Sequence, residues 1–239
     1  MIFSDCKYFD AIDGTWSPKQ IIEMNPWRIR KSDCGGKRVT ATTATGSVTD
    51  SDIDVAELEM NKLGQALLFM LRPEDEALNS QLLRRGYRNL NETTIFTCST
   101  TDLTNVSLPK VTVFNMWEPL AIMDEMWDKG GIGLCRRKVM SRVKVPKTGF
   151  FVRLNDKPVG VGFAAIDGPI AMVHALHVSD QHRRKKAATW LVRGAARWAE
   201  SYGAQQISVA CLNANFGAKA LFLSLGFLPA VEYHYCMKD

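Results

Sequence analysis

Apolar and polar positions in the second half of this chain fall into two alternating periods. Thr148–Leu154, Val159–Ile166 and Ile170–Val178 are short apolar-rich runs, separated by the turn residues Asn155–Asp156–Lys157–Pro158 and Asp167–Gly168–Pro169. They predict three consecutive antiparallel strands. An amphipathic stretch over 185–202 follows, with Trp190 and Trp198 on one stripe and Gly203 at its end. That spacing predicts a helix packed on the strands. Ile207–Leu212 reads as a strand, Asn215–Leu225 as a helix stopped by Gly226, and Val231–Met237 as a last strand. Upstream, Val111–Phe114 predicts a strand, and 119–128 and 133–142 predict two helices parted by Gly130–Gly131. The order β-α-α-β-β-β-α-β-α-β implies a layered α+β fold. Its sheet is mixed and mostly antiparallel, flanked by helices, with a β-α-β crossover near its end.

The first half is patterned less sharply. Residues 1–24 read as a helical lead in which Trp16–Ser17–Pro18–Lys19 opens a helix Gln20–Met24. Trp27–Arg30 and Lys37–Thr42 predict two strands, joined as a hairpin by Ser32–Asp33–Cys34–Gly35–Gly36. A helix from Asp52 to about Leu63, a strand Ala66–Leu71, a helix from Pro73 to Leu83 stopped by Gly86, and a strand Thr93–Cys98 complete it. The polar, turn-rich stretch 99–110 predicts a boundary, giving domains 1–107 and 108–239. Ala66–Leu71 followed by Ala77–Tyr87 echoes Ile207–Leu212 followed by Ala218–Phe227. Each is an apolar strand, a helix and a Gly-aromatic stop, which suggests that the first half is a reduced copy of the second.

Composition narrows the function classes. The 239 residues carry a net charge of +5, so anionic ligands are not repelled. Cys6, Cys34, Cys98, Cys135, Cys211 and Cys236 are scattered without a Cys-x-x-Cys pair, which argues against structural zinc and against a disulfide framework. Reduced thiols in a cytoplasmic protein are the expectation. Acidic residues early in the chain and the lack of a long apolar stretch predict neither a signal peptide nor a membrane span.

The densest charge is Arg183–Arg184–Lys185–Lys186, between the strand ending at Val178 and the helix through Ala187 and Ala188. A helix N-terminus already carries partial positive charge, so four cations there are unfavourable unless an anion joins them. A solvated basic helix start is the plain alternative. Nucleic-acid binding is disfavoured, because there is one basic loop and no aromatic stripe.

Two motifs carry a family resemblance. Leu176–His177–Val178 followed by Arg183–Arg184–Lys185–Lys186–Ala187–Ala188 resembles the coenzyme loop Arg/Gln-x-x-Gly-x-Gly/Ala of the GNAT superfamily of N-acetyltransferases. Asn215-x-x-Ala218-x-x-Leu221-Phe222-x-x-x-Gly226-Phe227 resembles that family's Asn-x-x-Ala-x-x-Leu-Tyr-x-x-x-Gly-Phe. Lys186 stands where Gly is usual, and Phe222 where Tyr is usual. The resemblance covers about 111–239 and implies a GNAT fold, with residues 1–107 a degenerate GNAT-like or accessory α/β domain. It implies acetyl-CoA as co-substrate, no metal, and a small-molecule or peptide amine as acceptor. Dimers are common in the family, which makes a homodimer an expectation. The main chain of Leu176, His177 and Val178 would pair with the pantetheine arm. The amides of Arg184, Lys185, Lys186, Ala187 and Ala188 would cradle the pyrophosphate beside Arg183, with Asn215 and Phe222 along the arm. An N–H near Leu176 would polarise the thioester carbonyl.

The same resemblance places His174 where related arylalkylamine acetyltransferases carry a relay histidine, so His174 is the first candidate for the base. His177 is the second, if a bulge turns it inward. With Phe222 in place of the usual acid, Tyr233 or Tyr235 could protonate the leaving thiolate. The thiolate could also leave unaided, or the protein could be a non-catalytic acyl-CoA sensor. Trp117 and Trp127 are candidate walls of the acceptor pocket, Cys211 is read as core, and Gly35–Gly36–Lys37–Arg38 as a hairpin turn with a faint likeness to an anion nest.

Overall fold

The computed structural model describes residues 3–110 and 112–238. Met1, Ile2, Val111 and Asp239 lie outside the described residues, and with them the first two positions of the expected lead and the start of the strand expected at Val111. The first half runs α1 (Asp5–Thr15), β1 (Gln20–Met24), β2 (Trp27–Lys31), β3 (Thr42–Ala44), α2 (Asp50–Lys62), β4 (Leu67–Leu71), α3 (Glu76–Arg84), β5 (Arg88–Ser99) and α4 (Thr100–Thr104). The second runs β6 (Val113–Met116), α5 (Ala121–Lys129), α6 (Leu134–Arg142), β7 (Lys147–Leu154), β8 (Lys157–Asp167), β9 (Ile170–Val178), α7 (Ala187–Ser201), β10 (Gln206–Leu212), α8 (Phe216–Ser224) and β11 (Leu228–Lys238). Among the described residues, no helix is long and apolar enough to cross a membrane.

The strands of both halves form one sheet, in the order β1-β2-β3-β4-β11-β5-β10-β9-β8-β7-β6. The succession of three strands, helix, strand, helix, strand occurs twice, as β1-β2-β3-α2-β4-α3-β5 and as β7-β8-β9-α7-β10-α8-β11. Helices α3 and α8 are 140 positions apart at both ends (216 less 76, 224 less 84). The same shift converts the β4–β11 pair Leu71–His234 into the β10–β5 pair Cys211–Thr94, and it maps the β5–β11 pair Thr93–Tyr233 onto itself. A local two-fold axis thus passes through Thr93 and Tyr233, and each half lends its last strand to the centre of the sheet. This exchange removes two free edges and buries Ile95, Phe96, Tyr233 and Tyr235 where the halves meet.

Three expectations are corrected. Gln20–Met24 is a strand, paired with Trp27–Lys31. Five residues with adjacent β-branched Ile21 and Ile22 cannot repay helix nucleation, but they pair readily. The strand expected over Lys37–Thr42 is instead a 3₁₀ turn at Lys37–Val39, and Thr42–Ala44 pairs with β2. Gly35 and Gly36, at φ 117° and 93°, break the extended path, and the buried Arg30 guanidinium then holds Ala41 O and Thr43 Oγ1. Finally, Cys34 and Cys135 form a disulfide with Cα atoms 5.5 Å apart, contrary to the expected set of reduced thiols. Packing of the 32–36 loop near α6, where Arg142 Nη2 donates to Ser32 Oγ at 2.7 Å, brings the two cysteines together.

Candidate active site

Strands β9 and β10 pair in parallel from Ile170–Gln206 to Val173–Val209 and then separate. On its other edge β9 bulges. Its register with β8 passes from His174–Phe163 to His177–Val161, so Ala175 and Leu176 face Gly162 alone. Ala175 takes up the extra residue at φ 52°, and Trp127 Nε1 donates to its carbonyl at 3.0 Å. Leu176 thus lies in the bulge opposite Gly162 and has no ladder partner on β10, so its β10 side is open to a ligand. A cleft of about 610 Å³ opens at this fork. Val173–Leu176 form one wall, and Val209–Leu212 with Asn215, Ala218 and Phe222 form the other.

The cation-rich turn follows the end of β9 and leads into α7, and residues 183–188 are not among those lining the cleft. Arg183, Arg184, Lys185 and Lys186 are all exposed, while Ala187 is buried against the sheet and Ala188 is half-buried. Arg184 and Lys186 adopt left-handed conformations, φ 63° and 65°. Lys186 is the N-cap of α7, no side chain caps that helix, and its first turn holds no acid. Arg183 pairs with Asp180 at 2.7 Å, and both are largely exposed, so the bridge contributes little. Asn215 is the N-cap of α8, its Oδ1 accepting from Ala218 N at 3.1 Å while the residue lines the cleft.

The inner end of the cleft is built by the first half. Trp16 and the loop Gly35–Gly36–Lys37–Arg38 line it, together with Ile132 and Arg136 from the second half and Tyr233 and Tyr235 from β11. Thr15 Oγ1 donates to Ala11 O at 2.5 Å, so its lone pairs are left for His174 Nε2–H at 2.9 Å. That fixes the proton on Nε2 and leaves Nδ1 to accept from Arg38 Nη1 at 3.2 Å. The Trp16 ring lies tilted against the imidazole, centroids 5.1 Å apart. Burial, and after it the charge of Arg38, holds His174 well below the ordinary imidazole range, so it is neutral at pH 7. Burial and the adjacent Tyr233 push the Tyr235 phenol well above its ordinary range.

The residues marked by sequence therefore scatter. Leu176, Asn215 and Phe222 line the cleft with His174, Tyr233 and Tyr235. Val178 is in the ladder opposite Gly160. His177 packs over Gly130, where an added Cβ would lie 2.5 Å from the imidazole, and it does not line the cleft. Burial, then Arg183, lowers its pKa. The bulge does not turn it inward. Trp127 is fully buried and Trp117 packs on Phe163, so neither lines the cleft. Cys211 is buried in β10 with one face on the cleft. Sequence reasoning gave Trp16 and Arg136 no place in a site and read Lys37 and Arg38 as part of a hairpin turn. The one signal was the Gly-Gly-Lys-Arg run, whose place at the cleft depends on contacts more than a hundred positions away.

Comparison with known proteins agrees with this geometry. Residues 119–227 match the Acetyltransferase (GNAT) family. A Bacillus subtilis (strain 168) protein named Uncharacterized N-acetyltransferase YobR is 23% identical over 224 residues, 90% of this chain and 91% of its own. A GCN5-related N-acetyltransferase from Kribbella flavida superposes with a TM-score of 0.73 at 15% identity, over 98% of this chain and 95% of that one. A tandem GNAT protein from the clavulanic acid biosynthesis pathway gives 0.58 at 11% identity, over 87% and 76%. At these identities the solved structures establish the fold.

Proposed function

Through residues 119–227 this chain belongs to the GNAT superfamily, and on that premise we propose that it transfers an acetyl group from acetyl-CoA to a primary amine of a small molecule or peptide by direct attack. The observation that carries the reading is the fork itself. The β9–β10 ladder ends at Val173–Val209, and β9 runs on to Val178 and through a short turn into a helix whose N-terminus has four exposed cations and no capping side chain. The exposed main chain of Leu176 suits the amides of a pantetheine arm, and the α7 amides with Arg183–Lys186 suit a pyrophosphate. Lys186 in the left-handed region explains why Gly is usual there, and it keeps the loop amides in place.

In this reading the amine nitrogen attacks the thioester carbonyl carbon. A C–N bond forms, the C–S bond breaks, and the coenzyme leaves as its thiolate. The Leu176 N–H is the group that would meet the developing oxyanion. Tyr233 lines the same cleft as Phe222 and is the group that would return a proton to the thiolate, since burial makes the Tyr235 phenol a reluctant donor. His174 does not serve as the amine's base, because both its nitrogens are engaged. The amine instead loses its proton to water, which the cationic surroundings of the cleft favour. Residues 1–107 are read as a reduced GNAT-like domain that closes the inner end of the cleft, joined to 108–239 in the loop after α4.

A non-catalytic acyl-CoA sensor is the second reading, favoured by Phe222 at the position of the usual acid. Calorimetric titration with acetyl-CoA, followed by thiol release with an amine panel, separates the two. One-to-one binding with thiol release supports the transferase, and binding without release supports the sensor. Absence of binding at tens of micromolar coenzyme, a range ordinary for such ligands, would overturn both.

A further inference from the structure

We propose that the acceptor amine carries an anionic oxyacid group, carboxylate or phosphate, which Arg38 binds at the inner end of the cleft with Lys37 and Arg136 nearby. This rests on the acetyltransferase reading and names the substrate class for it. Three observations converge. First, the residues lining the cleft include Lys37, Arg38 and Arg136 and not a single Asp or Glu. An acceptor with only positive charge would meet three cations and no counter-charge there. Second, Arg38 is held in place without being neutralised. Its Nη1 donates to His174 Nδ1, and its guanidinium carbon lies 5.8 Å from the Trp16 ring centroid. Among the described residues no carboxylate pairs with it, and its other N–H groups have no protein acceptor. Third, the neighbouring Arg30 shows how this fold satisfies an internal guanidinium when binding is not required. Asp13 takes it in a two-pronged pair at 2.6 and 2.8 Å. A half-buried guanidinium without such a partner is costly unless an exogenous oxyanion supplies it.

The relay behind Arg38 serves the same end. Ala11 O, the Thr15 hydroxyl and the His174 imidazole form one chain of donors and acceptors ending on Nη1. It fixes the rotation of the guanidinium and leaves its remaining edge toward the cavity. His174 is thus a positioning residue for the acceptor. Binding of the oxyacid end at Arg38 would hold the amine end toward Leu176, where the thioester carbonyl is expected.

The test uses the full chain at saturating acetyl-CoA and reads thiol release for matched acceptors. Glycine is set against glycinamide, β-alanine against β-alaninamide, and O-phosphoethanolamine against ethanolamine, with cadaverine as a purely cationic amine. At least one acid should exceed its neutral partner in kcat/KM by about tenfold or more, the range for a hydrogen bond to a charged group. The first two pairs report carboxylate and the third phosphate. Arg38→Gln should remove the preference and leave acetyl-CoA affinity unchanged, and Arg38→Lys should restore part of it. Arg136→Gln, on an exposed helix face, should lower the same ratio without touching the buried relay. A neutral amine or cadaverine as the better acceptor would overturn the proposal. So would a ratio unaltered in Arg38→Gln, a coenzyme affinity that falls with it, or turnover of none of the acids by a chain that binds acetyl-CoA. Failure of the wild type to bind acetyl-CoA would instead overturn the function on which the proposal rests.

Discussion

Helices α2 and α7 occupy equivalent places in the two halves, each following the strand that runs parallel to its neighbour, yet their N-termini are opposites. At α2, Thr49 and Asp52 form a capping box. Asp52 Oδ2 accepts from Thr49 N at 2.8 Å, Thr49 Oγ1 accepts from Asp52 N at 3.3 Å, and Asp50 and Asp52 supply negative charge. The helix satisfies its own donors and its own dipole. At α7 the cap is a left-handed Lys186, no side chain accepts from the first turn, and four cations precede it. The strands beneath differ in the same sense. β3 meets β4 at the single pair Thr42–Phe69, whereas β9 and β10 pair over four positions before they fork. One architecture thus yields a closed end and an open one. On the proposed function, the capacity to take a phosphate would be set by a handful of residues at one helix start and not by the fold.

The largest effect should come from closing the open end. Arg184→Glu with Lys186→Glu places two carboxylates beside the α7 amides. It should weaken acetyl-CoA by more than about 100-fold, the equivalent of losing two hydrogen bonds to charged groups. Calorimetry on the double variant reads this directly. Affinity within a few-fold of wild type would mean that the open N-terminus is a solvated basic turn and that the contrast with α2 has no bearing on binding.

A second effect lies where the halves meet. His174 on β9 is held by Thr15 and Arg38, both from the first half. Its folded-state pKa is depressed, so only the unfolded chain takes up a proton near the ordinary value of 6.5. The stabilising contribution is complete above that value and is lost as pH falls below it, at no more than about 1.4 kcal/mol per pH unit for one proton. His177 and His234 are shifted the same way, so the difference between wild type and His174→Gln isolates the buried relay. Urea midpoints from pH 7.5 to 5 should fall more steeply in the wild type. Parallel curves would show that the seam does not keep His174 neutral.

At the closed end, Thr49→Ala removes one half of the capping box. It should cost about 1 kcal/mol of stability and leave acetyl-CoA affinity untouched. A loss of affinity there would mean that the two helix starts are coupled through the shared sheet.

How much of this was legible follows from the sequence distance over which each feature is written. The loop Arg183–Ala188 and the Asn215–Phe227 segment are contiguous, with helix and strand signals on both sides, so the sequence alone shows which elements they join; of the two, the second reaches the cleft, through Asn215, Ala218 and Phe222. The strands and helices of the second half fall within a few residues of their predicted ranges, because their periods are strong. The 66–87 echo surfaces as the 140-residue shift of α3 onto α8. The first half between Gln20 and Thr42 is misread, because two glycines at positive φ and a buried Arg30–Asp13 pair decide its path. The role of His174 is illegible for a related reason. Its partners Arg38 and Thr15 stand 136 and 159 positions away, and the Cys34–Cys135 disulfide spans 101. No local pattern records which residues a two-fold arrangement brings together.

The smallest effect sharpens the comparison at a single residue. Thr49 caps α2 with an extended backbone, φ −99° and ψ 168°, which any residue adopts. Lys186 caps α7 at φ 65° and ψ 8°, a conformation that costs an L-residue roughly 1–2 kcal/mol. Lys186→Gly removes that cost but gives back roughly 0.5–1 kcal/mol through the added freedom of the unfolded chain. The net gain should therefore be at most about 1 kcal/mol, visible as a modest rise in urea midpoint. The loop amides stay in place while one cation is lost, so acetyl-CoA affinity should fall by less than about tenfold, well short of the charge reversal. If Lys186→Gly destabilises the chain or abolishes coenzyme binding, the side chain and not the backbone shape at this cap holds the open end, and the contrast with α2 becomes one of charge alone.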